Sequence, residues 1–190
     1  MIRTSDRPIQ AEQHFVYSSM TWERFELLRS LFESPGVRVS YFAGEVELLT
    51  VSDLHGLIAG NLGFLLELYM AELGLDFFGL EDFTIELEDV ASAQADKSYC
   101  FDQRRAVPDL AIEVVIKGER KTKLRRYAAL GVTEVWFWID GQIQAYRLAE
   151  SGYQLIERSG WVPDLDLQHL ATCVAIERRQ DAIKSFRNGR

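Results

Sequence analysis

Asp109-Leu110-Ala111-Ile112-Glu113-Val114-Val115-Ile116 is an apolar run interrupted near its centre by one carboxylate. This pattern is typical of a β-strand that is buried on both faces of a sheet. Residues 119–130 follow with the apolar spacing of a helix, and Glu134–Ile139 then has the pattern of an aromatic strand. Strand, helix and strand in this order predict one mixed β-sheet with helices packed on it.

Further elements are predicted on the N-terminal side of this block. Thr21 is a suitable N-cap for a helix that ends at Ser34-Pro35-Gly36. Ala43-Gly44 separates two β-rich runs with the spacing of a tight hairpin. Ser52 can cap the main packing helix, whose wide apolar stripe ends at Gly74.

The remaining patterns are shorter. Strands are expected at 76–79 and 83–88, and the turns at 140–141 and 150–152 predict a meander after the aromatic strand. Residues 89–107 are polar and carry no clear pattern.

The length and composition favour one domain. The chain has 190 residues, 47% hydrophobic and 26% charged, which is ordinary for a globular protein and enough to bury roughly 70% of the unfolded surface. We expect an N-terminal arm over residues 1–19, a single domain of the α/β (α+β) class over 20–175, and a basic C-terminal tail over 176–190.

Cysteine usage and hydropathy bear on the compartment. Cys100 and Cys173 lack CxxC spacing, so neither a disulfide framework nor a cysteine zinc site is expected, and a reducing compartment fits best. The first ten residues lack an apolar signal core, and the longest apolar stretch, residues 62–70, is interrupted by Glu67 and is too short to span a membrane. We expect a cytoplasmic protein that does not insert into membranes.

The net charge is −8, from 21 basic and 29 acidic residues, which is the wrong sign for a protein that coats nucleic acid through its global field. Any phosphate-binding site must therefore be local. One segment meets this condition because it holds six basic residues and a single acid, Glu119: Lys117, Arg120, Lys121, Lys123, Arg125 and Arg126.

Glu113 is the most unusual residue of the chain. A carboxylate within a central strand is costly to desolvate unless a positive group meets it. A metal ion is the simplest partner, but an ion pair with a basic residue of the next helix, or a position at the exposed end of the sheet, would also account for Glu113.

A second metal ligand cannot come from Asp109 if Glu113 holds the same ion. Four residues along a strand put the two side chains on one face but roughly 13 Å apart, so Asp109 is at least as well explained as a structural group at the strand end. A neighbouring strand should supply the second carboxylate, and residues 89–102 offer Asp96 and Asp102. Lys123, one turn before Tyr127, can project from the following helix back over the sheet, although most lysines are exposed.

Other familiar sites lack their sequence marks. There is no GxSxG, GxxxxGK[ST] or GxGxxG segment, so a serine hydrolase, a P-loop and a dinucleotide-binding fingerprint are not supported. His14, His55 and His169 are isolated and show no HExxH spacing, so a histidine-rich metal site is not supported either.

Several segments together resemble a known family. They are Met20-Thr21-Trp22-Glu23-Arg24-Phe25, Gly44-Glu45-Val46, His55 with Gly60-Asn61-Leu62, Pro108-Asp109-Leu110-Ala111-Ile112-Glu113-Val114, Lys123-Leu124-Arg125-Arg126-Tyr127 and Leu130-Gly131-Val132-Thr133-Glu134-Val135-Trp136. In this order they are similar to the Uma-two family of restriction endonucleases, over about residues 20–170, and the block at 108–138 is the most specific part. The resemblance implies a restriction-endonuclease-like fold of the PD-(D/E)xK superfamily, with a mixed central β-sheet flanked by helices.

The resemblance also implies the site residues. The first acidic position of the family falls on Asp96, the strand glutamate on Glu113, and the lysine on Lys123. Asp96, Glu113 and the backbone carbonyl of Val114 would hold Mg²⁺ or Mn²⁺. Lys123 would position the attacking water. His55 and Glu45 match recurrent positions near the site, as possible accessory residues.

The sequence departs from the family in two places. Ala95 replaces the proline usually found before the first aspartate, so Asp102 and Asp109 remain alternatives to Asp96. The turn after the strand is not the small, Ser/Pro-rich turn common in relatives, so Lys117 or Lys121 could take the place of Lys123.

The leading hypothesis is a Mg²⁺-dependent endonuclease that acts on DNA, with Lys117, Arg120, Lys121 and Arg125 contacting the nucleic acid. The alternative is a nuclease-like fold without turnover that serves as a binding or assembly module. A homodimer is a further expectation, based on Trp136, Phe137 and Trp138 together with the basic residues of 178–190.

Overall fold

A computed structural model describes residues 12–32, 34, 36–80, 83–116 and 120–189. In this part of the chain the helices are α1 (Trp22–Phe32), α2 (Asp53–Glu72), α3 (Arg120–Leu130), α4 (Leu167–Val174) and α5 (Arg179–Asn188). The strands are β1 (Gln13–Tyr17), β2 (Val37–Phe42), β3 (Glu45–Thr50), β4 (Phe77–Gly79), β5 (Thr84–Leu87), β6 (Ala91–Gln94), β7 (Lys97–Phe101), β8 (Leu110–Val114), β9 (Glu134–Ile139), β10 (Gln142–Ala149) and β11 (Gly152–Ile156).

The strands form two sheets. One has six strands in the order β11-β10-β9-β8-β7-β4, and the other has five in the order β1-β3-β2-β6-β5. In the six-stranded sheet β8 and β9 are parallel and joined by α3, whereas the other neighbouring pairs are antiparallel. The predicted mixed sheet flanked by helices is therefore confirmed, but the sequence did not indicate that β1, β2, β3, β5 and β6 belong to a second sheet.

Alternate residues of β8 face two different cores. Leu110, Ile112 and Val114 pack with α2, α4 and α5 on one side of the sheet. Ala111 and Val115 pack on the other side with α3 and with β5 and β6. Because successive side chains of a strand point to opposite faces, Glu113 must face α3 and the five-stranded sheet.

Local sequence explains the elements that were predicted. Ser52 caps α2 because its side chain accepts a hydrogen bond from the backbone N–H of His55 at 3.2 Å. The helix ends where Gly74 adopts a φ of 69°, in the left-handed region that glycine tolerates best. By length and hydropathy alone α2 could cross a membrane, but half of its apolar window is buried inside the fold, as in the core helix of a soluble protein.

Three sequence expectations need correction. Residues 89–107, which carried no clear pattern, contain β6 and β7. The expected arm contributes β1, which pairs with β3 over its whole length. The expected basic tail contains α5, whose Ala182 and Phe186 are buried against the core. The proposed boundaries of the domain stay a prediction.

The aromatic side chains of β9 lie inside the protein. Trp136 and Phe137 are fully buried and Trp138 is 8% exposed, so they fill the two cores. The expected homodimer therefore cannot use these aromatic side chains, whereas basic residues such as Arg178 and Arg187 are exposed, and the homodimer stays a prediction.

We expect the C-terminal helix to be essential for stability. Phe186 is 1% exposed and packs on Tyr69 of α2 with ring centroids 6.3 Å apart. Phe186→Ala should therefore lower the free energy of unfolding by about 3–5 kcal/mol, measured by urea denaturation. Phe32→Ala, which removes a ring that is 44% exposed at the end of α1, is the matched control and should change stability by less than about 1 kcal/mol. Equal losses in both variants would contradict the buried position of α5.

Candidate active site

A small cavity lies where β8 and α3 meet the five-stranded sheet. Its volume is about 10 Å³, which is room for roughly one water molecule. We call it the inner cavity, and the residues around it include Arg38, Ser40, Glu47, Asp96, Glu113, Lys123 and Arg126.

Glu113 makes two hydrogen bonds to α3. Its Oε2 lies 2.6 Å from Lys123 Nζ, and its Oε1 accepts a hydrogen bond from the Tyr127 hydroxyl. Burial lowers the pKa of Lys123, but Glu113 and Glu47 raise it more, so the pKa lies above its usual range and the ammonium is charged at neutral pH. Burial and the nearby Glu113 charge raise the pKa of Tyr127, which keeps the phenol protonated as a donor.

Asp96 faces Glu113 from the neighbouring strand. Lys97 pairs with Ile112 in the antiparallel β7–β8 ladder, which places Asp96 one step further and opposite Glu113. Asp96 Oδ2 accepts the backbone N–H of Val114 at 2.8 Å, and Oδ1 lies 2.8 Å from His55 Nε2. Two adjacent strands and α2 therefore fix this carboxylate.

His55 is held between two carboxylates. Its Nδ1 lies 3.0 Å from Glu12 Oε2, and both side chains are 1% exposed. Burial lowers the pKa of His55, but the contacts with Asp96 and Glu12 raise it more, so the pKa is above its ordinary value. Burial alone would raise the pKa of the Asp96 carboxyl. The contacts with His55 and the Val114 N–H outweigh burial, so the pKa of Asp96 lies below its usual range.

The five-stranded sheet contributes a second ion pair. Arg126 Nη2 donates to Glu47 Oε2 at 2.8 Å, its Nη1 donates to Ser40 Oγ, and His14 Nε2 lies 2.7 Å from Glu47 Oε1. Burial raises the pKa of Glu47, but the charges of Arg126 and Lys123 and the hydrogen bonds outweigh it and lower the pKa to about 2. Glu47 is therefore ionised throughout the neutral range.

The alternative acidic ligands lie elsewhere. Asp109 Oδ2 accepts the backbone N–H of Phe101 at 2.9 Å and pairs with Arg105, so this carboxylate joins the ends of β7 and β8. Asp102 is exposed and has a φ of 62° just after β7. Neither residue lines the inner cavity.

The expected nucleic-acid contacts are only partly described. Arg120, Lys121 and Arg125 are exposed on α3, and the Arg125 guanidinium lies 5.3 Å from the centre of the Phe42 ring. Lys117 lies outside the described residues. Lys121, the alternative to Lys123, is exposed, and Glu45 lies outside the inner cavity, beside Phe42.

Comparison with known proteins identifies the family. A family model described as "Uma2: Putative restriction endonuclease" matches residues 22–175. The chain belongs to the Uma2 family. No curated protein matches the sequence. The fold resembles a crystal structure from Anabaena variabilis described as a "putative nuclease belonging to DUF820", with a TM-score of 0.54, 12% identity, and coverage of 88% of this chain and 99% of that one. The predicted restriction-endonuclease-like fold is thereby confirmed.

Several residues of this Uma2 site were not predicted. Glu47 lies 79 positions from its partner Arg126, and Glu12 comes from a segment without periodicity, so no local pattern marks either glutamate. Arg126 was named only as a member of the basic segment. Tyr127 was named only as a residue of the family motif, one turn after Lys123. Its position four residues after Lys123 is the signal that could have found it, because residues i and i+4 share one helix face.

The donor set fits a small hard cation. Mg²⁺ and Mn²⁺ prefer oxygen ligands, and Mg²⁺ is usually bound by one or two carboxylates while it keeps several waters. Asp96 and Glu113 supply two carboxylates, and each of their oxygens has a lone pair beyond the one used by its protein partner. Within the described residues no cluster of three or more Asp, Glu, His and Cys side chains stands ready for a metal, so waters and backbone oxygen would complete the shell.

We expect the stability of the protein to depend on Glu47 at acidic pH. Since its folded-state pKa is lowered from 4.5 to about 2, its stabilising effect is present above about pH 4.5 and is lost as the pH falls toward about 2. The difference in unfolding free energy between wild type and Glu47→Gln should shrink over this range by on the order of 3 kcal/mol, measured by urea denaturation. In Glu26→Gln, which alters an exposed glutamate of α1, the difference from wild type should stay nearly constant. A pH-independent effect of Glu47→Gln would contradict the assignment.

Proposed function

We propose that this Uma2 protein is an endonuclease that hydrolyses DNA phosphodiester bonds with Mg²⁺ or Mn²⁺ at Asp96, Glu113 and Lys123. The observation that carries the proposal is that three buried side chains meet around one cavity: Asp96 directly before β7, Glu113 of β8 and Lys123 of α3. Burial of three charged groups is costly, and functional sites are where such clusters concentrate.

Asp96, Glu113 and the Val114 carbonyl would hold the metal ion. When bound, the ion lowers the pKa of a water molecule and neutralises charge that develops on the scissile phosphate. The protein fixes the two carboxylates before the ion arrives, because Asp96 is held by the Val114 N–H and His55 and Glu113 by Lys123 and Tyr127. Preorganised ligands need little rearrangement on binding.

Lys123 supplies a permanent positive charge beside the carboxylates. Its ammonium has three N–H donors, and one is used by Glu113. The others can orient the attacking water and stabilise the negative charge on the phosphate oxygens in the transition state. Since the pKa of Lys123 is raised, this residue acts as an electrostatic group and does not serve as a base at neutral pH.

The exposed side of α3 suits the approach of DNA. Arg120, Lys121 and Arg125 lie on the same helix as Lys123. Their positive charges offset the protein's net charge of −8 near the site. Contacts of this kind go to phosphates and carry no sequence information, so binding should weaken as salt increases.

A second candidate function is a binding or assembly module without turnover. One observation favours it: every oxygen of Asp96 and Glu113 already has a protein partner, and the inner cavity holds only about 10 Å³. A protein that binds no metal would retain this network as a purely structural one.

Metal binding separates the two functions. Calorimetric titration with Mn²⁺ should show binding to the wild type and at least ~10-fold weaker binding to Asp96→Asn and Glu113→Gln, since each loses a charged ligand. Asp102→Asn is the matched control, because it removes an exposed carboxylate at a positive φ that asparagine tolerates. Circular dichroism would verify that all variants fold. Absence of binding to the wild type, or equal binding to all four proteins, would reject the proposed ligands.

Lys123→Gln should separate metal binding from cleavage. The amide can still donate a hydrogen bond to Glu113 but carries no charge. We expect Mn²⁺ affinity to be kept, while Mg²⁺-dependent cleavage of DNA, measured on both single-stranded and plasmid DNA, falls about 100-fold or more, because the transition state loses electrostatic stabilisation. Lys184→Gln, which removes a lysine that is 73% exposed on α5 and lies outside the proposed site, should cleave at close to the wild-type rate. Equal rates for Lys123→Gln and wild type would show that Lys123 has no part in the reaction.

A further inference from the structure

A larger cavity adjoins the inner cavity on the side of the five-stranded sheet. It has a volume of about 230 Å³ and is lined by residues that include His14, Val16, Phe42, Glu45, Glu47 and Arg126. We call it the outer chamber. Glu47 and Arg126 line both cavities, so their ion pair forms the partition between them.

The reactive groups are too deeply buried for a base-paired DNA segment to reach. The side chains of Asp96 and Glu113 are each 6% exposed and that of Lys123 is 5% exposed. A duplex keeps its backbone on the outside of a broad cylinder, whereas a single nucleotide swung out of the helix can enter a narrow pocket. The outer chamber is also smaller than the roughly 300–1,000 Å³ of pockets for drug-sized ligands, which favours one nucleotide over a longer segment.

Arg126 offers a buried donor at the partition. Its Nη1 and Nη2 groups are bonded to Ser40 and Glu47, but its Nε has no hydrogen-bond partner among the described residues. The side chain is only 3% exposed, so the unpaired N–H is costly. A phosphate oxygen is a strong acceptor for a guanidinium, and Arg126 is the arginine that lines the outer chamber.

The walls of the outer chamber have the chemistry of a base-binding site. Phe42 provides an aromatic ring for stacking, and the Arg125 guanidinium covers one face of that ring, with its central carbon 5.3 Å from the ring centre. Glu45, Glu47 and His14 provide polar atoms that can meet the amino and imino groups of a base edge.

We infer that the outer chamber binds one unpaired nucleotide of the DNA strand, with its base on Phe42 and its phosphate at Arg126, next to the inner cavity. The inference deepens the proposed function and rests on it, because the chamber has this meaning only if the inner cavity acts on DNA. The preferred substrate of the protein is therefore single-stranded DNA or a duplex with an extruded nucleotide, and an intact duplex is a poor ligand.

Fluorescence anisotropy with labelled DNA tests the inference without metal. Dissociation constants are measured in EDTA for a single-stranded oligonucleotide, the same sequence as a blunt duplex, and that duplex with a one-nucleotide bulge. The wild type should bind the single strand and the bulged duplex at least ~10-fold more tightly than the blunt duplex. Phe42→Ala should lose most of this preference, since stacking of one base accounts for a change of about this size.

Two further variants make the result decisive. Phe42→Leu keeps an apolar side chain and removes only stacking, so it serves if Phe42→Ala does not fold. Phe15→Ala removes an exposed ring from the strand that carries His14 and Val16, but on its opposite face, and should keep the preference.

Equal affinities of the wild type for the three DNAs would overturn the inference, as would a preference that survives in the folded Phe42 variants. These outcomes differ from a failure of the proposed function, which appears as absent Mn²⁺ binding and absent cleavage. Efficient cleavage of DNA together with equal affinities would leave the endonuclease standing and reject the nucleotide site.

Discussion

The contact of Glu113 with Lys123 and Tyr127 is the constraint on which the site depends. A carboxylate in the middle of a buried strand can be kept only if charge and hydrogen bonds replace its lost hydration. The Lys123 ammonium, 2.6 Å from Glu113 Oε2, and the Tyr127 hydroxyl replace that hydration. Both groups belong to α3, the helix that connects β8 to β9. The crossover helix therefore has to pack with one face on Glu113, which also brings Arg126 against the five-stranded sheet.

Much of the fold could be predicted because local patterns are strong there. The apolar run of β8, the aromatic run of β9, the Ala43-Gly44 turn and the Ser52 cap each carry enough information in a few residues. Strand β6 does not, since Ala-Ser-Ala-Gln has neither high β-propensity nor alternation, and its pairing with β2 and β5 makes it a strand. Strand β1 likewise depends on its partner β3.

The residues of the site also fall into two groups, those that a local sequence pattern marks and those that it does not. Glu113 is conspicuous in the sequence because it breaks an apolar run, and the spacing argument against Asp109 follows from strand geometry alone. Asp96 and Lys123 as partners of Glu113 needed the resemblance to relatives as well. Glu47 and Glu12 could not be predicted, since they contact the site from elements that are far apart in sequence. Arg126 belongs to the predicted basic segment, but its pairing with Glu47 was not predicted. The assignment of Asp96, Glu113 and Lys123 to catalysis stays a prediction.

The charges around the inner cavity suggest why metal and substrate should bind together. Four carboxylates, Glu12, Glu47, Asp96 and Glu113, are matched by four cations, Arg38, His55, Lys123 and Arg126, when His55 is protonated. A neutral, closed network attracts neither a phosphate nor a cation strongly. A divalent ion adds two positive charges and a phosphodiester removes one, so each partner makes the other's entry less costly. DNA should therefore strengthen metal binding beyond the affinity that the free protein has.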